Sequence, residues 1–268
     1  MGLAVDTVLA FSTQAGASAF PTALAATLGD SLTVRSTNGN TGAHLEAFIT
    51  ASNAGGQKFR VASPLLHDNV TGLTFAGVEN PSPFLLPAET SVDLSAQDTL
   101  SVFGACGAAT TITAGLVIAY DDLRGTQADL YRWSDISSDV KAYKSIEVSL
   151  SAVAVGAWTD TLITATENQL HADSSYAVLG YDVSPAVDIV GVKGVATGNL
   201  RMCGPGVATS LDISSYYVYQ AEKSSRPYIP VFQANDRNGF YVSAANHAAI
   251  AGGGAEVFLL VAELKSKR

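Results

Sequence analysis

Charge is scarce in this chain. Asp, Glu, Lys and Arg make up 15% of the 268 residues, against about 25% in an ordinary soluble domain. Basic residues are scarcer still. Lys and Arg number 15 against 24 acidic residues, for a formal net charge of −9. A surface that grips nucleic acid needs clustered Lys and Arg, and the one notable basic cluster is Lys265 to Arg268. Those four residues read as a solvated tail. The balance argues against sequence-specific nucleic-acid binding. It leaves room for a shell around nucleic acid, because only one face of a shell meets its contents.

Cysteine is equally sparse. Cys106 and Cys203 are the two in the chain, too few for a disulfide framework or a zinc pattern. They read as small hydrophobes, or as a single disulfide if the protein is extracellular. No run of about 18 apolar residues occurs, so no membrane span is expected. The opening "MGLAVDTVLAF" has no basic n-region and is broken by Asp6, which makes it a poor signal peptide. Asp6 also stands where a myristoylation motif wants Ser or Thr. The expectation is a chain made in a cytoplasm and not exported by a classical route.

Apolar residues are abundant, at 47%, so a large core is available. Low charge with ample apolar content suits a protein that covers much of its outside with copies of itself, since interface cores are depleted of charge. A weakly charged secreted β-protein is the alternative.

Two segments look like versions of each other: "QKFRVASPLL" (Gln57 to Leu66) and "GNLRMCGPG" (Gly198 to Gly206). Arg60 and Arg201 are 141 positions apart, as are Pro64 and Pro205. "SPFLLPAE" from Ser82 resembles "SRPYIPVF" from Ser225, with Pro83 and Pro227 144 apart. "TITAGLVIAYDDL" from Thr111 resembles "GAEVFLLVAELKS" from Gly254, with Leu116 and Leu259, and Ala119 and Ala262, 143 apart. Asp30 and Asp173 also keep a spacing of 143. Collinear anchors at a near-constant offset point to a duplication.

Short alternating or β-branched runs between Gly, Asn, Asp and Pro signals read as strands. In the first half they are Val5–Ser12, Ser31–Ser36, His44–Ala51, Lys58–Ala62, Val70–Val78, Ser91–Leu94, Thr99–Phe103 and Thr111–Tyr120. In the second half they are Ser145–Ala154, Tyr176–Asp182, Val187–Lys193, Asn199–Met202, Ile213–Gln220, Tyr228–Phe232, Gly239–Ser243 and Glu256–Leu264. Eight strands per half is the count of a jelly roll, although other eight-stranded or immunoglobulin-like sandwiches share it. The expected fold is all-β, with two tandem eight-stranded jelly-roll-like sandwiches related by internal duplication. Residues 1–123 form the first sandwich and 145–268 the second. Residues 124–144 are a linker with a short helix capped by Ser134. Ala23 to Asp30 reads as a brief helix or a loop.

The sequence assembles no catalytic motif on this scaffold. His44, His67, His171 and His247 include no pair at i+2, i+3 or i+4. A metal-binding tandem jelly roll would need a His-x-His with downstream Glu and His. No G-x-S-x-G elbow occurs. Cys106, in "FGACGAAT", has no adjacent histidine to lower its pKa. Asp121 and Asp122 end a strand run and read as solvated. "AGGGAE" at Ala251 lies between β runs, whereas a phosphate cradle wants a following helix. The chain reads as non-enzymatic, with no cofactor or metal implied. In "SYYVYQ", strand alternation puts Tyr217 and Tyr219 on one face and Tyr216 on the other. Such a pair suits a protein interface or a glycan-stacking platform.

The paired segments Arg60–Pro64 and Arg201–Pro205, and the paired closing strands Leu116–Tyr120 and Leu259–Glu263, give an architecture that resembles the double jelly-roll capsid proteins of double-stranded DNA viruses. That resemblance implies a structural protein of a virion, made in the host cytoplasm. It would assemble with copies of itself as trimers or higher assemblies, alongside other virion proteins. A virion decoration or accessory protein is the near alternative. A tandem sandwich that binds a glycan or a protein is the other. Arg60 and Arg201 are expected to do equivalent structural work.

Overall fold

The computed structural model describes residues 4–15, 23–24, 33–34, 43–52, 58–65, 73–76, 82–85, 92–105, 111–122, 130–150, 159–162, 170–184, 189–196, 200–205, 215–234, 241–246 and 255–268. These residues are mostly β-strand, with two helices and one 3-10 turn. The all-β expectation holds at that level.

Nine strands come first: β1 (Ala4–Ala15), β2 (Ala23–Leu24), β3 (Ala43–Ser52), β4 (Lys58–Ala62), β5 (Leu73–Ala76), β6 (Ser82–Leu85), β7 (Val92–Leu94), β8 (Ser101–Ala105) and β9 (Thr111–Asp122). A short β10 (Leu130–Tyr131), helix α1 (Trp133–Ile136) and a 3-10 turn (Ser137–Asp139) lead into β11 (Val140–Leu150). Then come β12 (Thr159–Leu162), β13 (Ser175–Ser184), β14 (Ile189–Ala196), β15 (Leu200–Pro205), α2 (Tyr216–Ser224), β16 (Ile229–Gln233), β17 (Tyr241–Asn246) and β18 (Ala255–Leu264).

Every pairing between these strands is antiparallel, in four sheets. Two sheets draw on the first nine strands. One has the order β1-β9-β3-β6, with β7 also on β3, and the other the order β2-β8-β4-β5. The remaining sheets run β10-β16-β13-β18-β11 and β12-β17-β14-β15.

The best-described core lies in the second half. On β11, Ile146, Val148 and Leu150 are buried while Ser145, Glu147 and Ser149 are exposed, the alternation a half-covered strand requires. Val257, Leu259 and Val261 of β18 join them, as do Val192 of β14 and Val242 of β17, so one apolar cluster spans both sheets. Each such side chain contributes about 1.5–3 kcal/mol on burial. β13 breaks the alternation: Ser175 to Tyr181 are buried without interruption. Such a run marks a strand covered on both faces, and α2 packs against β13 as its additional cover.

Several expectations change. Residues Ile213–Gln220 were expected as a strand, but the described part from Tyr216 onward belongs to α2. Tyr216, Tyr217, Gln220 and Ala221 are buried, an i, i+1, i+4, i+5 stripe of helical period. The β-preferring aromatics are overridden by the helix formers Gln220, Ala221, Glu222 and Lys223 that come after them, and the helix stops at Ser225, whose φ is 54°. Second, Ser134 lies inside α1 and does not cap it; the N-cap is Arg132, whose N–H donates to Asp135 Oδ2 at 3.2 Å. Third, β11 begins at Val140 and β10 pairs with β16, so residues 130–131 and 140–144 belong to the sheets of the second half. Residues 23–24 pair with β8, so this part of the expected helix or loop is strand. β6, β10 and β12 were not expected at all.

Candidate functional site

A polar constellation surrounds buried Glu263. This residue lies on β18 between β11 and β13, opposite Ala142 and Tyr176. It is 2% exposed. Lys141 Nζ donates to its Oε1 at 2.8 Å, Ser174 Oγ donates to the same oxygen at 2.9 Å, and Lys144 Nζ lies 3.2 Å from Oε2. Lys144 also sits 5.5 Å from the Tyr176 ring centroid, and Tyr176 stacks on Phe232.

Burial alone would push this carboxyl upward. The donors Lys141, Ser174 and Lys144 outweigh it and hold the group down at about 2. Burial would lower Lys144, but Glu263 and Tyr176 hold its pKa above the ordinary lysine value. A carboxylate held that low is a poor proton acceptor at neutral pH, whereas catalytic bases are tuned toward the working pH. The chemistry of this cluster is cross-strand clamping.

A second network ties down Lys265 to Arg268. Lys265 N–H donates to the Asp139 carbonyl at 2.8 Å. Asp139 Oδ1 accepts from Ser266 Oγ at 2.9 Å, and Arg268 Nε lies 3.5 Å from Asp139 Oδ2. The Arg268 guanidinium stands 5.0 Å from the Tyr131 ring centroid and donates to the Asp135 carbonyl at 3.1 Å. Buried Ser175 exchanges hydrogen bonds with the Arg268 backbone: it accepts from N–H at 2.9 Å and donates to the carbonyl at 3.2 Å. The expected solvated tail is therefore bonded to the protein through its backbone and through the Ser266 and Arg268 side chains.

The tyrosine platform is not formed. Tyr217 is 0% exposed and Tyr219 is 42% exposed, because two positions on a helix lie about 200° apart. Tyr217 packs edge-on to Tyr181 and Tyr216 at ring separations of 5.8 and 5.6 Å. Its role is core packing under α2. The helical spacing of Tyr216, Tyr217 and Ala221 was the signal that could have shown this.

No family model and no curated protein matches the chain.

Arg60 and Arg201 hold different places. Arg60 lies on β4, between β5 and β8, opposite Thr74 and Phe103. Arg201 lies on β15, an outer strand, opposite Val195. Pro64 is exposed in the turn after β4, whereas Pro205 is the last residue of β15, opposite Gly191. An edge strand tolerates a proline because one side of its backbone needs no ladder bonds. Beside Pro64, buried Ser63 donates through Oγ to buried Asp98. Asp98 follows Gln97, whose φ of 63° places it in the left-handed region. That contact joins the exit of β4 to the turn before β8. His44 lies on β3 opposite Ala119 and Asp93, and His171 is exposed before β13. Cys203 lies on β15 opposite Lys193. Cys106, His67, His247, Asp30 and the glycine run at Ala251 to Gly254 lie outside the described residues. Among the described residues, no helix is long and apolar enough to cross a membrane.

Proposed function

We propose that this chain is a non-enzymatic structural protein, built from two jelly rolls, that assembles with copies of itself into a viral shell. The observation that carries the reading is the wiring of the sheets. In the first half one sheet runs first-last-third strand, with the sixth and seventh both on the third, and the other runs second-eighth-fourth-fifth. In the second half β11-β18-β13-β16 and β12-β17-β14-β15 run in the same order. Chain crossing of this kind between two sheets is the pattern of a jelly roll.

Register strengthens the comparison. β3 pairs with β9 through a shift between Leu45 and Ala47, opposite Ile118 and Val117. β13 pairs with β18 through a shift between Val178 and Gly180, opposite Val261 and Leu260. The two bulges fall at matching points of matching strands, as a copied feature would. This register supports the pairing of Leu116 with Leu259 and of Ala119 with Ala262. It does not support the other anchors. By pairing, β16 corresponds to β7 and not to β6, which carries Pro83, and β15 corresponds to β5 and not to β4, which carries Arg60.

Low charge and an acidic balance suit repeated protein contacts better than a nucleic-acid groove. A decoration or accessory role in a virion would use the same architecture. Glycan binding through Tyr217 loses its support with that residue buried. Size-exclusion chromatography with negative-stain imaging tests the proposal: regular trimers, sheets or particles are expected. A monomer at every concentration, with glycan affinity, would sink it.

A further inference from the structure

The neighbouring strands β11, β18 and β13 turn one face to the core, where Ile146, Val148, Val257, Leu259 and Tyr181 are buried. The residues that alternate with these lie on the opposite face. Register arranges them in rows across the three strands. Phe258 has Glu147 on one side and Asp182 on the other. The next row sets Glu256 between Ser149 and Ser184, and the row before sets Leu260 opposite Ser145. Phe258 and Leu260 are partly exposed, while Glu147 and Asp182 are exposed. An apolar centre is thus bordered by a carboxylate on each side.

Charge on this face has one sign. No Lys or Arg stands in these rows, whereas a face that meets only water ordinarily intersperses both signs. Glu147, Asp182 and Glu256 form no ion pair among the described residues. The Asp182 carboxylate accepts from the Val183 N–H at 2.8 Å. The nearby cations Lys141 and Lys144 are held by Glu263. Glu147 and Asp182 are two strand spacings apart, about 10 Å, which leaves room over Phe258 for a single cationic side chain.

We propose that this face docks a basic segment of a different protein, an extended stretch with one apolar and two basic residues at alternate positions. Alternate residues of an extended segment face the same way, at the spacing of the Leu260, Phe258 and Glu256 rows. The apolar residue meets Leu260. The first basic residue lays its stem and charge over the Phe258 ring and reaches Glu147 and Asp182, and the second meets Glu256. Charge complementarity makes the occupant foreign. The chain has 15 basic residues against 24 acidic, and its basic cluster Lys265 to Arg268 is already bonded to Asp135, Asp139 and Ser175. The inference does not rest on the shell reading, because the chemistry of the face is the same in any assembly.

The test is fluorescence anisotropy on the full chain at low salt. The probe is a labelled peptide with Leu, Arg and Arg at alternate positions and Ser between them. Glu147→Gln with Asp182→Asn is expected to weaken binding about 10-fold, the sum of two exposed ion pairs. Phe258→Ser should weaken it as well. Asp173→Asn with Glu222→Gln removes the same two charges from the turn before β13 and from α2, and should leave binding unchanged. A peptide with Ser in place of Leu should bind less tightly. No binding to the wild type, or equal losses in the two double variants, overturns the proposal. Equal binding of the peptide without Leu overturns the apolar part of the match and with it the proposed segment. Self-association of the wild type that disappears in the Glu147→Gln, Asp182→Asn variant makes a second copy the occupant and overturns a foreign partner. If Phe258→Ser fails to fold by circular dichroism, the two double variants decide alone.

Discussion

Lys141 and Glu263 are 122 residues apart and meet at 2.8 Å. The pair is lopsided, with the Lys141 side chain 55% exposed and that of Glu263 2% exposed. The two partners therefore lose different things on mutation. Glu263→Gln leaves Lys144 and Ser174 facing a neutral amide in a buried site, and is expected to cost about 2–4 kcal/mol. Lys141→Ala removes a solvated charge while Lys144 and Ser174 still hold the carboxylate, and should cost less than about 1 kcal/mol. Urea titrations of both variants check the order. Equal losses would mean that the clamp is not centred on Glu263.

The same site sets a pH dependence. The Glu263 carboxyl is held at about 2 in the folded chain against an ordinary value of 4.5. A folded value below the unfolded one means that its stabilisation is fully present above about pH 4.5 and is lost as pH falls toward 2. The loss is on the order of 3 kcal/mol. Lys144 is raised, so its contribution is present below the ordinary lysine value of 10.5 and is lost as pH rises through the higher folded value. Chemical denaturation at pH 6, 4 and 3 should show stability falling with acid in the wild type, and falling less steeply in Glu263→Gln.

Much of the strand pattern was readable because half-covered strands write their burial as alternation. Lys58–Ala62 coincides with β4, and Glu256–Leu264 differs from β18 by one residue. The Tyr216–Ser224 helix was not legible, since two adjacent tyrosines and a valine favour strand locally while the tertiary contact with β13 decides for helix. Arginine and proline mark strand ends and turns anywhere in a β-protein, whereas the bulged pairings at Leu45/Ala47 and Val178/Gly180 are fixed by hydrogen-bond register. The Glu263 cluster was invisible in the sequence because its members come from β11, β18 and the turn before β13. Tyr120 lies opposite Ala43 as Glu263 lies opposite Tyr176, and a tyrosine and a glutamate carry no shared sequence signal.

Tyr217 and Tyr219 give a sharp contrast within one turn of α2. Tyr217→Ala empties a site bounded by Tyr181 and Tyr216, and is expected to cost about 3–5 kcal/mol, the range for large aromatic truncations in cores. Tyr219→Ala alters a partly exposed side chain and should stay within about 0.5 kcal/mol. Thermal melts of the two variants check this. A strand at this position, with both tyrosines on one face, would give similar losses.

The segment Lys265 to Arg268 offers the last test, and its logic turns on Ser175. The hydroxyl of Ser175 is buried and both accepts from and donates to the Arg268 backbone. Arg268→Ala keeps those backbone bonds. It removes the contacts with Asp139, Tyr131 and the Asp135 carbonyl, which are exposed enough that the loss should be about 1 kcal/mol or less. Deleting residues 265–268 strips the partners from Ser175 and from Asp139 as well, and should cost about 2–4 kcal/mol, because an unmade buried hydrogen bond costs more than a made one gains. Adding Ser175→Ala to the deletion removes the orphaned hydroxyl and should restore about 1 kcal/mol, while Ser175→Ala in the intact chain destabilises. The opposite signs of one substitution in two backgrounds, read from denaturation midpoints, identify the tail as part of the folded sheet. The same sign in both would show that the segment contributes nothing to the burial of Ser175.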